Sequence, residues 1–150
     1  MPRIELTTRI AAPPERCFDL ARDLDLHLRT MAPSGERIVG GRTAGLIGLD
    51  EEVTWSARHF GLDHRHTSRI TAFARPRHFR DSMTSGRFKR FEHDHVFEVA
   101  GGATIMTDVV EFASPWGPLG WIVDRLVLRR YLTALLRRRS LDIKREAETP

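Results

Sequence analysis

Two histidines and an aspartate are the residues of this chain whose types and spacing best suit chemistry. The stretch FEHDHVFEVAGGATIMTDVVEF, residues 91–112, has the alternation of two strands joined at a glycine pair. His93 and His95 alternate on the first strand, so both side chains point to the same face. Two glycines suit a two-residue type I′ turn, and such a turn places His95 opposite Asp108. The spacing therefore predicts a polar cluster on a face that would otherwise be apolar.

Three kinds of chemistry fit this cluster. His-x-His beside a carboxylate can ligate a metal ion, but no Glu or third His follows at the intervals typical of cupin sites, and we expect neither a metal ion nor a cofactor. A histidine held by a carboxylate also suits acid–base catalysis next to a ketone, with His95 as acid or base and Asp108 as its orienting partner. The same residues can orient a ligand or form a satisfied buried network, and this alternative is favoured over catalysis.

Composition places limits on the class of protein. The chain has 150 residues, of which 41 % are hydrophobic and 29 % charged, as in an ordinary globular protein of one domain, predicted over residues 1–150. No apolar run approaches the ~20 residues that span a bilayer. The N-terminal residues alternate charged and apolar types and lack the continuous apolar region of a signal peptide. We therefore expect a cytoplasmic protein.

Cysteine content and charge exclude further classes. The single cysteine, Cys17, rules out an intrachain disulfide and a multi-cysteine zinc site, and its helical spacing predicts a small buried hydrophobe. The net charge of +4 is small, and much of the basic excess lies in one C-terminal helical segment. No aromatic interleaving or helix-turn-helix pattern accompanies it, so we expect no nucleic-acid partner.

The elements that must position the cluster follow from periodicity and turn signals. Residues 3–11 alternate as a strand, Pro13-Pro14 opens a helical pattern that continues to residue 31, and a short strand precedes a glycine-rich connector. Five strand-like runs separated by turns follow from residue 50, and an amphipathic helix is predicted over 118–147. This order predicts an α+β fold, with a curved antiparallel sheet of about seven strands (β-α-β-β-β-β-β-β-α) around the last helix.

Two other hairpins decide which residues join the face of the histidines. A three-residue turn at 84–86 would pair Phe79 with Phe91 and bring Asp81 and Met83 to this face. The loop at Gly61 leaves two alternatives. A three-residue loop turns Arg69 inward, whereas a two-residue loop turns Ser68 and Ile70 inward, because a shift of one residue flips a strand's faces. We favour the three-residue loop because it keeps the faces consistent.

Several segments together resemble a known family. The first strand followed by APPERCFDLARDL, the strand VTWSARHFG, the run SRITAFARP, the spaced H.H.F and the long C-terminal helix are similar to the START-like or SRPBCC superfamily. These helix-grip proteins include the pollen-allergen fold, lipid-transfer domains and polyketide cyclase/dehydrase-like proteins. The resemblance implies an internal cavity between the concave sheet and the last helix that usually holds an apolar ligand.

The predicted function is the binding, transport or sequestration of a hydrophobic or amphipathic small molecule in that cavity. A polyketide cyclase/dehydratase-type enzyme using His95 and Asp108 is the alternative. Trp116 and Trp121 lie at the start of the last helix, near the expected mouth of the cavity. They could contact a membrane transiently, and the arginines at 137–139 could then face anionic lipid. The predicted ligand-binding residues are Trp55, Arg69, Phe79, Asp81, Met83, Phe91, His93, His95, Met106, Asp108 and Val110.

Overall fold

A computed structural model describes residues 2–150 of the chain as a curved sheet with helices on its concave face. The seven antiparallel strands have the order β1-β7-β6-β5-β4-β3-β2. The strands are β1 (Arg3–Ile10), β2 (Arg37–Gly41), β3 (Glu52–His59), β4 (Leu62–Ala74), β5 (His78–Ser85), β6 (Arg90–Ala100) and β7 (Ala103–Ala113). The helices are α1 (Pro14–Ala21), α2 (Leu24–Thr30), α3 (Gly117–Val123) and α4 (Arg129–Glu148), with a 3₁₀ turn at Ala32–Ser34 and a π-helical turn at Asp124–Leu128.

The predicted N-terminal helix is two helices in the structure. α1 begins at Pro14, as the proline pair predicts, but it ends at Ala21. Asp23 then caps α2, because its Oδ1 accepts hydrogen bonds from the backbone N–H groups of Asp25 (2.9 Å) and Leu26 (3.2 Å). The apolar spacing continues through this break, so periodicity alone does not reveal it.

The β6–β7 hairpin has the predicted register. Ala100 pairs with Ala103, and His95 lies opposite Asp108. Gly101 and Gly102 have φ values of 56° and 79°, the left-handed conformation that a type I′ turn requires at both positions. The turn chemistry was therefore sufficient to fix which residues share a face over both strands.

The register predicted for β5 and β6 is wrong. Phe79 lies opposite His95 rather than Phe91, because the connection spans residues 86–89 and is longer than the predicted turn. Within this connection Phe88 packs its ring against Phe91, with the ring centroids 5.2 Å apart. The shift is four residues, an even number, so the inward and outward faces of β5 are nevertheless those predicted.

The favoured loop between β3 and β4 is also wrong. The turn has two residues, 60–61, with φ values of 53° and 74°. Ser68 and Ile70 are consequently buried on the inner face. Arg69 lies on the outer face, and its Nη2 forms an ion pair with Glu52 Oε1 at 2.6 Å. A phenylalanine in the left-handed conformation is uncommon, which is why the sequence did not point to the shorter turn.

The last helix is interrupted where the chain crosses from the sheet. Residues 124–128 form a π-helical turn between α3 and α4, and Asp124 is buried there. Asp124 Oδ2 accepts a hydrogen bond of 3.0 Å from the backbone N–H of Ser114, the residue after β7. No helix within residues 2–150 is long and apolar enough to cross a membrane.

The core occupies part of the concave face. The ring of Phe18 on α1 contacts those of Phe73, Phe79 and Phe97, with centroid distances of 5.1–5.4 Å. Cys17 beside it is fully buried, as predicted. Because α1 fills this end of the sheet, the open space lies toward the other end, beneath the last helix.

Candidate ligand-binding site

A cavity of about 600 Å³ lies between the concave face of the sheet and the last helix. Leucines of the last helix, including Leu132 and Leu136, form one wall. Aromatic and apolar residues of the sheet form the other, so most of the lining is apolar, as in small-molecule sites generally. The predicted site residues that line the cavity are Trp55, Phe79, Asp81, Phe91, His93, His95 and Val110.

Four predicted site residues do not line the cavity. Arg69 faces outward because of the two-residue turn that precedes its strand. Met83 is half-buried near the end of β5, and Met106 is fully buried in the core. Asp108 is 5 % exposed and lies behind the two histidines rather than in the lining. It therefore supports the cavity residues and does not reach the cavity itself.

His95 is held between two carboxylates. Its Nε2 lies 2.8 Å from Asp81 Oδ2 and its Nδ1 lies 3.3 Å from Asp108 Oδ1, while its ring stacks on Phe79 at a centroid distance of 4.0 Å. Burial opposes a charge on the ring, but the bonds to Asp108 and Asp81 outweigh it and raise the pKa of His95. Both nitrogens of the buried His95 ring therefore face carboxylate oxygens, an arrangement that favours the protonated form.

His93 is held at only one nitrogen. Its Nε2 lies 2.8 Å from Asp108 Oδ1, whereas its Nδ1 lies 3.9 Å from Asp81 Oδ2, too far for a hydrogen bond. Asp108 also accepts a 3.2 Å hydrogen bond from the Ser140 hydroxyl on α4. Burial favours protonation of Asp108, but hydrogen bonds from His93 and His95 dominate and lower its pKa well below the ordinary range. Asp108 is thus a carboxylate that orients both imidazoles.

Asp81, His93 and His95 are close enough to be considered as metal ligands. One ligand atom from each lies within 4.8 Å of the others. The two imidazole rings, however, stack at 3.7 Å with only 25° between their planes. Ring nitrogens bind metals in the ring plane, so the lone pairs of stacked rings run side by side instead of converging on one ion. Both rings would have to rotate to bind a metal, and the arrangement suits a hydrogen-bond network better.

Further histidines, not predicted from the sequence, line the cavity. His27 Nε2 lies 2.5 Å from Glu36 Oε1, and its ring packs on Trp55 at a centroid distance of 4.1 Å. Burial is the main cause that lowers the pKa of His27, and it also lowers that of His66. Burial therefore favours the neutral form of both rings at pH 7. They come from distant segments, and no local spacing connects them to the His93–His95 pair.

Arg139, one of the arginines at 137–139 considered above as facing anionic lipid, is also a cavity residue. Its Nη2 donates a 2.7 Å hydrogen bond to the Ala21 carbonyl, while Nη1 is buried without a partner within residues 2–150. Burial lowers the pKa of Arg139, opposed by the charges of Asp108, Glu36 and Asp81. The sequence does contain a signal for the burial of Arg139, because this residue follows Leu132 and Leu136 at the spacing of the buried helix face.

The mouth of the cavity is bordered by exposed apolar side chains. Trp116 and Val127 line the cavity and are also exposed, at 57 % and 48 %. Four more apolar residues of the same segment are exposed without lining the cavity. These are Leu119, Trp121, Ile122 and Leu126. We refer to the six residues together as the mouth patch.

The sequence and fold identify the family. Residues 1–148 match the family described as polyketide cyclase / dehydrase and lipid transport. The chain belongs to this family. The resemblance to START-like and SRPBCC proteins inferred from the sequence is confirmed. No curated protein matches this family member in a sequence comparison.

Solved structures share the fold of this family member. A START superfamily protein from Mycobacterium smegmatis is similar, with a TM-score of 0.72 at 12 % identity, covering 97 % of each chain. TTHA0849 from Thermus thermophilus has a TM-score of 0.70 at 21 % identity, covering 97 % of this chain and 99 % of that one. Ginseng major latex-like protein 151 from Panax ginseng has a TM-score of 0.67 at 13 % identity, covering 99 % and 98 %. The predicted helix-grip fold is confirmed.

Proposed function

We propose that this protein binds a hydrophobic or amphipathic small molecule between its sheet and its last helix. The observation that carries the proposal is the cavity of about 600 Å³, apolar over most of its wall, with polar groups among its lining residues that include Asp81 and His93. This combination is the usual form of a small-molecule site. The family description, which names both cyclase/dehydrase and lipid transport members, is consistent with such a ligand.

Apolar burial would supply most of the affinity. A ligand with about ten methylene groups gains roughly 8 kcal/mol on leaving water. Association costs about 4–15 kcal/mol in lost freedom, which offsets much or all of this gain. An unpaired polar group left in the cavity would cost a further ~1–3 kcal/mol. The polar cluster should therefore decide which amphipathic molecules bind.

Native mass spectrometry and displacement of the neutral fluorophore N-phenyl-1-naphthylamine test this proposal. The variant Ala57→Phe places a ring in the cavity wall and should weaken fluorophore binding by about tenfold or more, because it removes volume from the site. Ala134→Phe, at an exposed position on α4, is the matched control and should bind like the unaltered protein. Absence of any bound molecule, together with no binding of the fluorophore or of alkyl aromatic compounds, would refute the proposal.

Acid–base catalysis is a second candidate function, favoured by the geometry of one histidine. His93 has a ring nitrogen without a hydrogen bond within residues 2–150, and its other nitrogen is oriented by the Asp108 carboxylate. A histidine in this arrangement suits proton abstraction next to a ketone. His95, the residue proposed from the sequence, has both nitrogens engaged and is a poorer base.

Exchange of the acidic protons of a β-diketone, 1-phenyl-1,3-butanedione, measures this activity. NMR in deuterated buffer should show exchange faster with protein than without it. His93→Gln should reduce the acceleration by about 10²-fold or more, the usual size of a general-base contribution. His66→Gln alters a second cavity histidine outside the cluster and should leave the rate nearly unchanged. Exchange at the buffer rate with the unaltered protein would exclude this function for such ketones.

Ligand uptake from a membrane surface is the third part of the proposal. The mouth patch places two tryptophans at the opening of the cavity, and tryptophan favours the membrane interface. Residues 116–138 contain five arginines, all exposed, and their one acidic residue, Asp124, is buried. This charge complements an anionic lipid surface.

A further inference from the structure

The hydrogen bonds of the polar cluster determine which of its atoms can face a ligand as acceptors. Asp108 is ionised and can only accept, so the proton of the 2.8 Å bond must be on His93 Nε2. In the neutral ring Nδ1 then carries a lone pair. This nitrogen makes no hydrogen bond within residues 2–150, and His93 lines the cavity. It is therefore an acceptor available to a ligand.

Asp81 adds a second acceptor at the same place. Its Oδ2 takes the hydrogen bond from His95, and its side chain retains 22 % exposure at the cavity wall. Burial would raise its pKa, but the bond from His95 and the neighbouring histidines lower the pKa to about 2. A carboxylate accepts hydrogen bonds and never donates them. A ligand group beside Asp81 must therefore be a donor.

An anionic ligand group at this place would lie beside the ionised Asp81 side chain. Arg139, which also lines the cavity, donates through Nη2 to the Ala21 carbonyl, and its Nη1 is buried without a partner within residues 2–150. Arginines as well as carboxylates line the cavity, so the preference does not rest on its total charge. It rests on Asp81, whose ionised side chain repels a ligand carboxylate placed beside it.

We propose that the cavity selects amphipathic molecules whose polar end is a hydroxyl, such as an alcohol, phenol or enol, donating to His93 Nδ1 or Asp81, and rejects the corresponding carboxylates. The inference rests on the proposed binding function and specifies the ligand class. A hydroxyl satisfies the free acceptors without carrying a charge into the cavity. An ammonium group would also donate, but removing its charge from water is far more costly.

Three ligands that differ only at the polar end test the selectivity. They are 4-octylphenol, octylbenzene and 4-octylbenzoate, each measured at pH 7 by displacement of N-phenyl-1-naphthylamine from the unaltered protein. We expect 4-octylphenol to bind about tenfold or more tighter than octylbenzene, and 4-octylbenzoate to bind more weakly than either. Equal or tighter binding of the benzoate would overturn the inference while leaving the binding function intact. Displacement by none of the three would instead count against the binding function.

Variants test whether Asp81 causes the preference for the phenol. Asp81→Asn replaces an acceptor oxygen with a donor amide, so it should reduce the preference for the phenol over the benzoate by about tenfold. Asp94→Asn is the matched control on the outer face of β6, where Asp94 pairs with Arg80, and it should preserve the preference. Octylbenzene affinity reports whether the cavity of each variant is intact. A preference unchanged in Asp81→Asn, with octylbenzene still bound, would also contradict the inference.

Discussion

At the scale of single residues, the cluster is an alternation of carboxylates and imidazoles. Asp108 bonds His93 and lies 3.3 Å from His95, and Asp81 bonds His95 from the other side. The sequence predicted the opposition of His95 and Asp108 correctly, because the glycine turn fixed it. It did not predict that the shorter bond of Asp108 is to His93. Rotamers decide this choice, and they depend on packing against Phe79 and α4.

The free energy of unfolding at acidic pH should depend on Asp81. Its pKa is lowered from 3.8 to about 2 in the folded protein, which corresponds to about 2 kcal/mol of stabilisation. The stabilisation is present above the unfolded pKa and is lost as pH falls from about 4 toward 2. We expect Asp81→Asn to lower the free energy of unfolding by about 2 kcal/mol at pH 6, with the difference shrinking toward pH 2. Urea unfolding at several pH values measures it.

His95 contributes in the opposite pH direction. Its pKa is raised, so its stabilisation is complete below the unfolded value of 6.5 and is lost as pH rises through the folded value. The comparison for Asp81 is therefore made at pH 6 and below. Asp63→Asn, an exposed position on β4, is the control and should follow the unaltered protein. A constant difference between Asp81→Asn and the unaltered protein from pH 6 to pH 2 would contradict the assignment.

At the scale of elements, local turn chemistry decided what the sequence could reveal. The glycine pair of the β6–β7 hairpin has one favoured turn, and its register was predicted without error. The β3–β4 turn uses Phe60 with a φ of 53°, which no sequence rule favours, and the face of β4 was consequently inverted. The β5–β6 error left the faces unchanged because it was even. An even error in register therefore preserves the faces of a strand, whereas an odd error inverts them.

The last helix shows a different limit. Its apolar face was predicted, and Leu132 and Leu136 do line the cavity. The π-helical turn at Asp124–Leu128 was not predicted. It begins at Asp124, whose buried side chain accepts a hydrogen bond from the backbone N–H of Ser114 across the strand-to-helix junction. A charged residue in a helical pattern normally indicates a solvent-facing position. Only tertiary structure distinguishes Asp124 and Arg139 from the exposed charges around them.

At the scale of the whole molecule, exposed apolar residues border one side of the cavity between the sheet and the last helix. The mouth patch lies on α3, the residue preceding it and the π-helical turn, while α4 continues away with its arginines other than Arg139 exposed. An apolar patch beside a cavity mouth is the arrangement expected where a ligand leaves an apolar phase. Interfacial segments with tryptophan and arginine lie flat on anionic membranes. The proposed binding site thus opens beside the surface from which a ligand would be collected in the proposed function.

Vesicle sedimentation tests this connection. We expect binding to vesicles of phosphatidylcholine with 30 mol% phosphatidylglycerol, weaker binding to phosphatidylcholine alone, and a loss of binding at ~1 M salt, where charges are screened within about 3 Å. Leu126→Ser, in the mouth patch, should weaken binding by about tenfold, since burial of a leucine side chain stabilises by roughly 1.5–3 kcal/mol. Leu141→Ser is a matched control, because Leu141 on α4 is 57 % exposed and Leu126 is 59 % exposed. If both variants sediment like the unaltered protein, or if the unaltered protein ignores lipid charge, the mouth patch is not a membrane-binding surface. The comparison isolates position, since the two substitutions remove the same side chain with nearly the same exposure.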